Sequence, residues 1–184
     1  MPKLPMGDKG PCEIVWNYGE SGALYLGDYL GQVILSEETN VSNIEVEKYG
    51  DAAVDAIFTG AIVTLEIPLT RPALEALEAV LMGTLVDSGD HQYLEIPNPA
   101  GCSLYDLAKD IVIKPICNGV VDPDPANWIH LFRCHPIPGM NLVFDRSTQR
   151  TFPVKFMVFV SQESGEEGLF GTLGMPSGST EYGL

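Results

Sequence analysis

The chain has 184 residues, with 25 acidic against 10 basic side chains and a formal net charge of −15. That length fits one domain with some loop or tail to spare and excludes two full ones. No base lies between Lys9 and Lys48 or between Arg71 and Lys109. The chain therefore lacks the clustered cations that nucleic acids and anionic membranes require.

The apolar fraction of 45% supports a sizeable core. No run approaches the ~18–20 apolar residues that span a bilayer. Met1–Gly7 lacks the long apolar stretch of a secretion signal, so the expected site of folding is the cytoplasm.

In chain order, residues 1–11 are rich in Pro and Gly and read as an extended N-terminal arm. Cys12–Trp16 is a first strand, and Gly19, Gly22, Gly27 and Gly31 then punctuate the short apolar pieces Ala23–Leu26 and Gln32–Leu35. Ser36–Asn43 is polar and reads as a loop. Ile44 and Val46 alternate with Glu45 and Glu47, the period of a half-buried strand. Ala61–Ile67 alternates more fully: Val63, Leu65 and Ile67 share one face, Thr64 and Glu66 the other, between Gly60 and Pro68.

A helix is predicted over about residues 71–82. Thr70 caps it, Pro72 sits in its first turn, and Glu75 and Glu78 lie near the positive end of its dipole. Leu74, Leu77, Val80 and Leu81 form its apolar stripe, and Gly83 stops it.

Residues 84–102 read as irregular. Strands resume at Asp110–Ile113, Trp128–Cys134 and Thr151–Val160, separated by the turn-forming Val120–Asn127. The last of these strands puts Phe152, Val154, Phe156, Val158 and Val160 on one face. The Gly/Ser-rich residues 161–184 read as a C-terminal arm. Many short strands and one helix predict a mainly β fold, an antiparallel sandwich or barrel over residues 12–160 with one flanking helix and extended terminal arms.

The sequence carries little chemistry. It has no nucleophile elbow, Walker loop or dinucleotide glycine fingerprint, so the expectation is no catalysis and no cofactor. His130, Cys134 and His135 are spaced so that two share a strand face and the third points away, short of the four ligands of a zinc site. Asp122 and Asp124 precede prolines without EF-hand spacing, and turn chemistry explains them better than calcium. Cys12, Cys102, Cys117 and Cys134 read as free thiols acting as small buried hydrophobes. Trp16, Tyr18, Tyr25 and Tyr29 read as packing residues rather than a sugar platform.

One segment carries a resemblance. Val41–Thr70, VSNIEVEKYGDAAVDAIFTGAIVTLEIPLT, resembles the tail tube (major tail) proteins of long-tailed bacteriophages, as does RTFPVKFMVFV over Arg150–Val160. The similarity lies in an acidic K-Y-G-D-like turn, a V-D-x-I-x-x-G segment, and an alternating strand that leads to a helix.

The resemblance implies a structural virion protein that assembles in the host cytoplasm into hexameric rings. The rings stack into a tube through which DNA passes on ejection. Copies of itself and other tail proteins are then its partners, and it binds no membrane. Inter-subunit contacts fall on the Ser36–Asn43 segment and the Lys48–Asp51 turn, at Glu37, Asn40, Lys48, Tyr49 and Asp51. Glu45, Glu47, Asp51 and Asp55 are the acids assigned to the lumen, where carboxylates let DNA slide as a non-sticking cargo. A ring of six carries about −90 in formal charge. The alternatives are another tail or neck component, the tube of an injection machine, or a monomeric β-sandwich binding module.

Overall fold

The computed structural model describes residues 10–20, 22–49, 52–70, 72–89, 91–97, 100–137 and 149–175. The fold is mainly β and antiparallel, with a single helix among the described residues. Its strands are β1 (Cys12–Trp16), β2 (Leu24–Tyr25), β3 (Ile34–Glu45), β4 (Ala53–Leu69), β5 (Thr84–Asp87), β6 (Gln92–Glu95), β7 (Lys109–Cys117), β8 (Val120–Val121), β9 (Ile129–Pro136), β10 (Phe152–Phe159) and β11 (Gly171–Leu173). The main sheet runs β2-β1-β7-β9-β10-β4-β3, with β8 added on β7 and β11 on β9, while β5 and β6 pair as a separate hairpin.

This sheet is strongly curled. β1 and β10 are separated by β7 and β9, so on a flat sheet they would lie roughly 14 Å apart. The Trp16 and Phe156 rings nevertheless meet at 5.4 Å between centroids. Between them lies the core, formed by alternate residues of the central strands: Ile14 and Trp16, Val63 to Leu69, Ile111 and Ile113, and Val154, Phe156 and Val158.

Of the two expected forms, sandwich or barrel, the sheet does not close into a barrel, because β2 and β3 at the two ends of the path are not paired with each other. The chain itself turns the corner instead. Leu26 N–H donates to the Ile14 carbonyl, tying this piece to β1, and two residues later Thr70 N–H donates to Asp28 and Leu30 N–H to Pro68, tying it to β4. Gly27 makes the change of direction at φ 96°, a conformation costly for any residue with a Cβ. Tyr29 staples the corner: its Oη accepts from Cys12 N–H at 2.6 Å, and burial and the nearby Cys12 thiol push its phenol up to about 12.

Helix α1 spans Leu74–Leu81, shorter than predicted at both ends. Thr70 is not its cap: its backbone and hydroxyl both donate to Asp28 O, and the N-cap residue is Ala73, which has no side-chain acceptor. The helix buries Ala76 and Val80, and Leu77 is only half-buried. It packs into the main core through Val80 and also against the β5–β6 hairpin, formed within the stretch expected to be irregular. Glu78 accepts from Leu85 N–H at 2.9 Å. Gly83 is required for contact rather than for a stop, since a Cβ there would lie 2.6 Å from a Leu94 methyl. The stop is Met82, in the left-handed region at φ 52°.

Two further expectations are corrected. The Ser36–Asn43 segment is not a loop but the middle of β3. Residues 161–175 are not a free arm, because Ser161 is buried and β11 joins β9. Most of the N-terminal arm (1–9) and the last residues (176–184) lie outside the described residues.

Burial predicts a sharp contrast between two phenylalanines. Phe156 is fully buried and Phe58 is 60% exposed. Phe156→Ala should cost roughly 3–5 kcal/mol, and Phe58→Ala within about 0.5 kcal/mol, read by urea unfolding of the dilute chain. Similar losses at both positions would contradict this arrangement.

Candidate functional site: an uncovered hairpin arm

β4 has 17 residues and β3 has 12, longer than the body of the fold can cover. The second half of β4 is built into the core by the alternation Val63, Leu65, Ile67, Leu69. Before Ala61 the same strand and its partner are exposed on both faces, so β3 and β4 project as a two-stranded arm. The arm leaves the body at a β-bulge: Asn40 pairs with Gly60 and Val41 with Phe58, which leaves Thr59 as the extra residue. Gly60 takes φ 145° there, and bulges of this kind bend a strand and add twist.

Register assigns the side chains to faces. Ser36 and Thr64 share the outer face, where their hydroxyls meet at 3.0 Å. On the opposite face, which continues the core face of the body, Thr39 pairs with Ala61, Val41 with Phe58 and Asn43 with Ala56. The outer face carries Glu38 with Ile62, Ser42 with Ile57 and Ile44 with Asp55. Val41 is 61% exposed, and Ile44, Val54, Ile57 and Ile62 are also exposed. Apolar side chains thus stand uncovered on both faces of one hairpin. Contiguous exposed apolar surface marks a site of interaction, and a two-stranded hairpin is marginally stable in water without something to pack on.

The residues singled out for contact mostly fall on this arm. Glu37 lies on β3 opposite Val63, Asn40 sits at the bulge, and Lys48 and Tyr49 are in the 3₁₀ turn Glu47–Tyr49 at the tip. Asp51 lies outside the described residues. Of the assigned lumen acids, Glu47 is in the tip turn, while Glu45 and Asp55 emerge on opposite faces of the hairpin. No single sheet face presents both.

The other constellations resolve differently from their sequence reading. His130 and Cys134 do not share a face. β9 carries an extra residue opposite Asp110, between the pairs Lys109–Cys134 and Ile111–Leu131, and this bulge turns Cys134 into the core. Burial pushes its thiol well up, which keeps it protonated and a poor metal ligand. His130 is held by Asp110 at 3.0 Å, a partner whose contact depends on the register between β7 and β9 and so was invisible in the spacing of the three residues.

This His–Asp pair sits in a polar cleft of about 450 Å³ that Lys109, Arg133 and Glu163 also line. The arrangement orients an imidazole, and no Ser, Thr or Cys is among the described residues of the lining. No grouping of three or more His, Cys, Asp or Glu poised for a metal occurs among the described residues. Asp122 and Asp124 do make turns: Asp122 accepts from Asp124 N–H and the Asn127 amide, and Asp124 from Ala126 N–H.

None of the four cysteines is in a disulfide, and only Cys134 is buried; Cys102 and Cys117 are exposed. Trp16 lies in the core, and Tyr18 packs edge-on to Trp128, with the Lys114 ammonium over both rings. Among the described residues no helix is long and apolar enough to cross a membrane. No family model matches the sequence, and no curated protein matches it significantly.

If the arm is an appendage, the body folds without it. Replacing residues 41–59 by Asn-Gly, which joins Asn40 to Gly60 through a two-residue hairpin turn, should leave the β-sheet circular dichroism of the body intact. At monomeric dilution the unfolding midpoint should move by less than about 4 °C, the equivalent of roughly 1 kcal/mol in a chain of this size.

Proposed function

We propose that this chain is the subunit of a self-assembling structural polymer of the phage tail-tube kind, with the β3–β4 arm as the element that one copy lays on the next. The observation that carries this reading is the arm itself, which is long and regular and carries apolar side chains on both faces that no described residue of the chain covers. Six copies per ring, rings stacked into a tube in the virion tail, and passage of DNA during ejection follow from the resemblance in Val41–Thr70 and Arg150–Val160. The curled body supplies a rigid wall. The arm supplies a reach that runs past its own body, which is the geometry of a head-to-tail contact able to close a ring.

Charge fits the same reading. The arm carries Glu45, Glu47 and Asp55 against Lys48, and Glu37 and Glu38 flank its root. A wall of fixed carboxylates offers phosphate no cation to exchange for its counterions, so DNA slides. Because Glu45 and Asp55 point to opposite faces, a flat-lying arm exposes one of them to a channel and the other to the wall.

Negative-stain microscopy of the purified protein is the direct test. Rings or tubes are expected for the natural chain, and small particles for Phe58→Asp, which puts a charge into the uncovered face while leaving the body folded. A compact monomer at every concentration, with no partner able to nucleate growth, would overturn the proposal.

The lining is tested separately with assembled material. Glu45→Lys and Asp55→Lys each change an exposed charge that contributes little to stability, so both variants should fold. One of the two should make the tubes retain DNA at low salt and release it as salt rises. Retention by neither would remove the arm from the channel wall.

A further inference from the structure

The cations of this acidic chain are nearly all spoken for. Lys114, Arg133 and Lys155 each pair with a carboxylate, and Lys48 and Arg150 have partners of their own. Lys109 is exposed and is the one described Lys or Arg left without a partner. It stands on the rim of an open apolar groove of about 370 Å³ between the end of α1 and β9, walled by Trp16, Ala79, Met82, Leu107 and Pro136. No acid is among the described residues of that lining.

The tip of the β3–β4 arm has the complementary character. Ile44, Val46 and Val54 are exposed there, interleaved with the acids Glu45, Glu47 and Asp55. Within one copy the two surfaces lie far apart. Lys109 pairs with Cys134, Cys134 with Val158 and Val158 with Val63, so these four residues form one row across the sheet. From Val63 the arm runs on to Ala53, roughly 30 Å of strand. Two tips do not suit each other either, because their acids would be set face to face.

We propose that this groove receives the arm tip of a second copy, with the apolar side chains of the tip filling it and Lys109 pairing with Glu47. Glu47 is the acid that sits in the turn at the end of the arm. Tip and groove are different surfaces of one chain, so each copy gives one and accepts one, and the contact repeats head to tail. The inference rests on the assembly reading and adds to it the surface on which the arm lands.

Zero-length cross-linking with a carbodiimide tests this on the full natural chain, because it joins an amine only to a carboxylate in contact with it. Polymers grown from an equal mixture of 14N- and 15N-labelled chains should yield a cross-link between Lys109 and Glu47 that carries both labels. Lys109→Glu and Glu47→Lys change exposed charges, so both variants should fold. Each should raise the critical concentration for assembly about tenfold or more, read by sedimentation, and the double variant should bring it back toward the natural value. Polymers that form without the mixed-label cross-link, or a double variant no better than the single ones, would overturn the groove contact and leave assembly standing. A natural chain that stays monomeric at every concentration would overturn both.

Discussion

Four side chains on one strand hold this structure in place. Val63, Leu65, Ile67 and Leu69 enter the core from alternate positions of β4, and β10 pairs residue for residue along that same half, from Phe152 opposite Leu69 to Val158 opposite Val63. A slip of one residue would turn all four outward, so the register of β4 is fixed by burial at one end alone. The rest of the strand is then committed. It leaves the body in the direction the core dictates, and its partner β3 follows it by backbone pairing. The arm is rigidly aimed at its root.

That arrangement sets apolar surface and charge against each other. The body is acidic, and so is the arm, so copies repel at long range. Close approach is favoured only where the apolar side chains of the arm are covered, and screening at physiological salt shortens the repulsion to roughly 8 Å. Acids also lie along β3, one of the two end strands of the main sheet. Charge on an edge strand hinders indiscriminate strand pairing while leaving a shaped contact possible. In the proposed assembly, repulsion at a distance and attraction at contact together favour one geometry of association over disordered clumping.

What could be read from the sequence divides along burial. β10 and the inner half of β4 were legible because one face of each is enclosed, which writes a period of two into the residues. Ser36–Asn43 was not, because a strand with water on both faces is under no pressure to alternate. It is held by its ladder to β4, which no local pattern records. The helix was legible as a helix, but its contact face was not. Leu74, Leu77 and Leu81 promised a stripe, yet the side chains the helix buries are Ala76 and Val80, and it is Val80 that enters the main core. The bulge in β9 is a third case: strict alternation put His130 and Cys134 on one face, and a single extra residue moved Cys134 to the other. Asp110, the partner of His130, was hidden for the same reason, since it is brought there by pairing between distant strands.

β10 and β11 lie end to end along the same flank of β9. Phe159 is opposite Arg133 and Gly171 opposite Leu131, and Phe132 N–H donates to Phe170 O between them. The chain leaves this ladder after Phe159 and re-enters it at almost the place it left. Its neck is cinched where Ser161 N–H meets Leu169 O and Gly168 N–H meets Ser161 O. Topologically the intervening loop is a parenthesis: strand order and core would be the same if it were shorter, longer or a whole folded module. An assembly built from this body can therefore vary its decoration at that point without renegotiating its architecture, and a designer wishing to display a cargo on it would graft there.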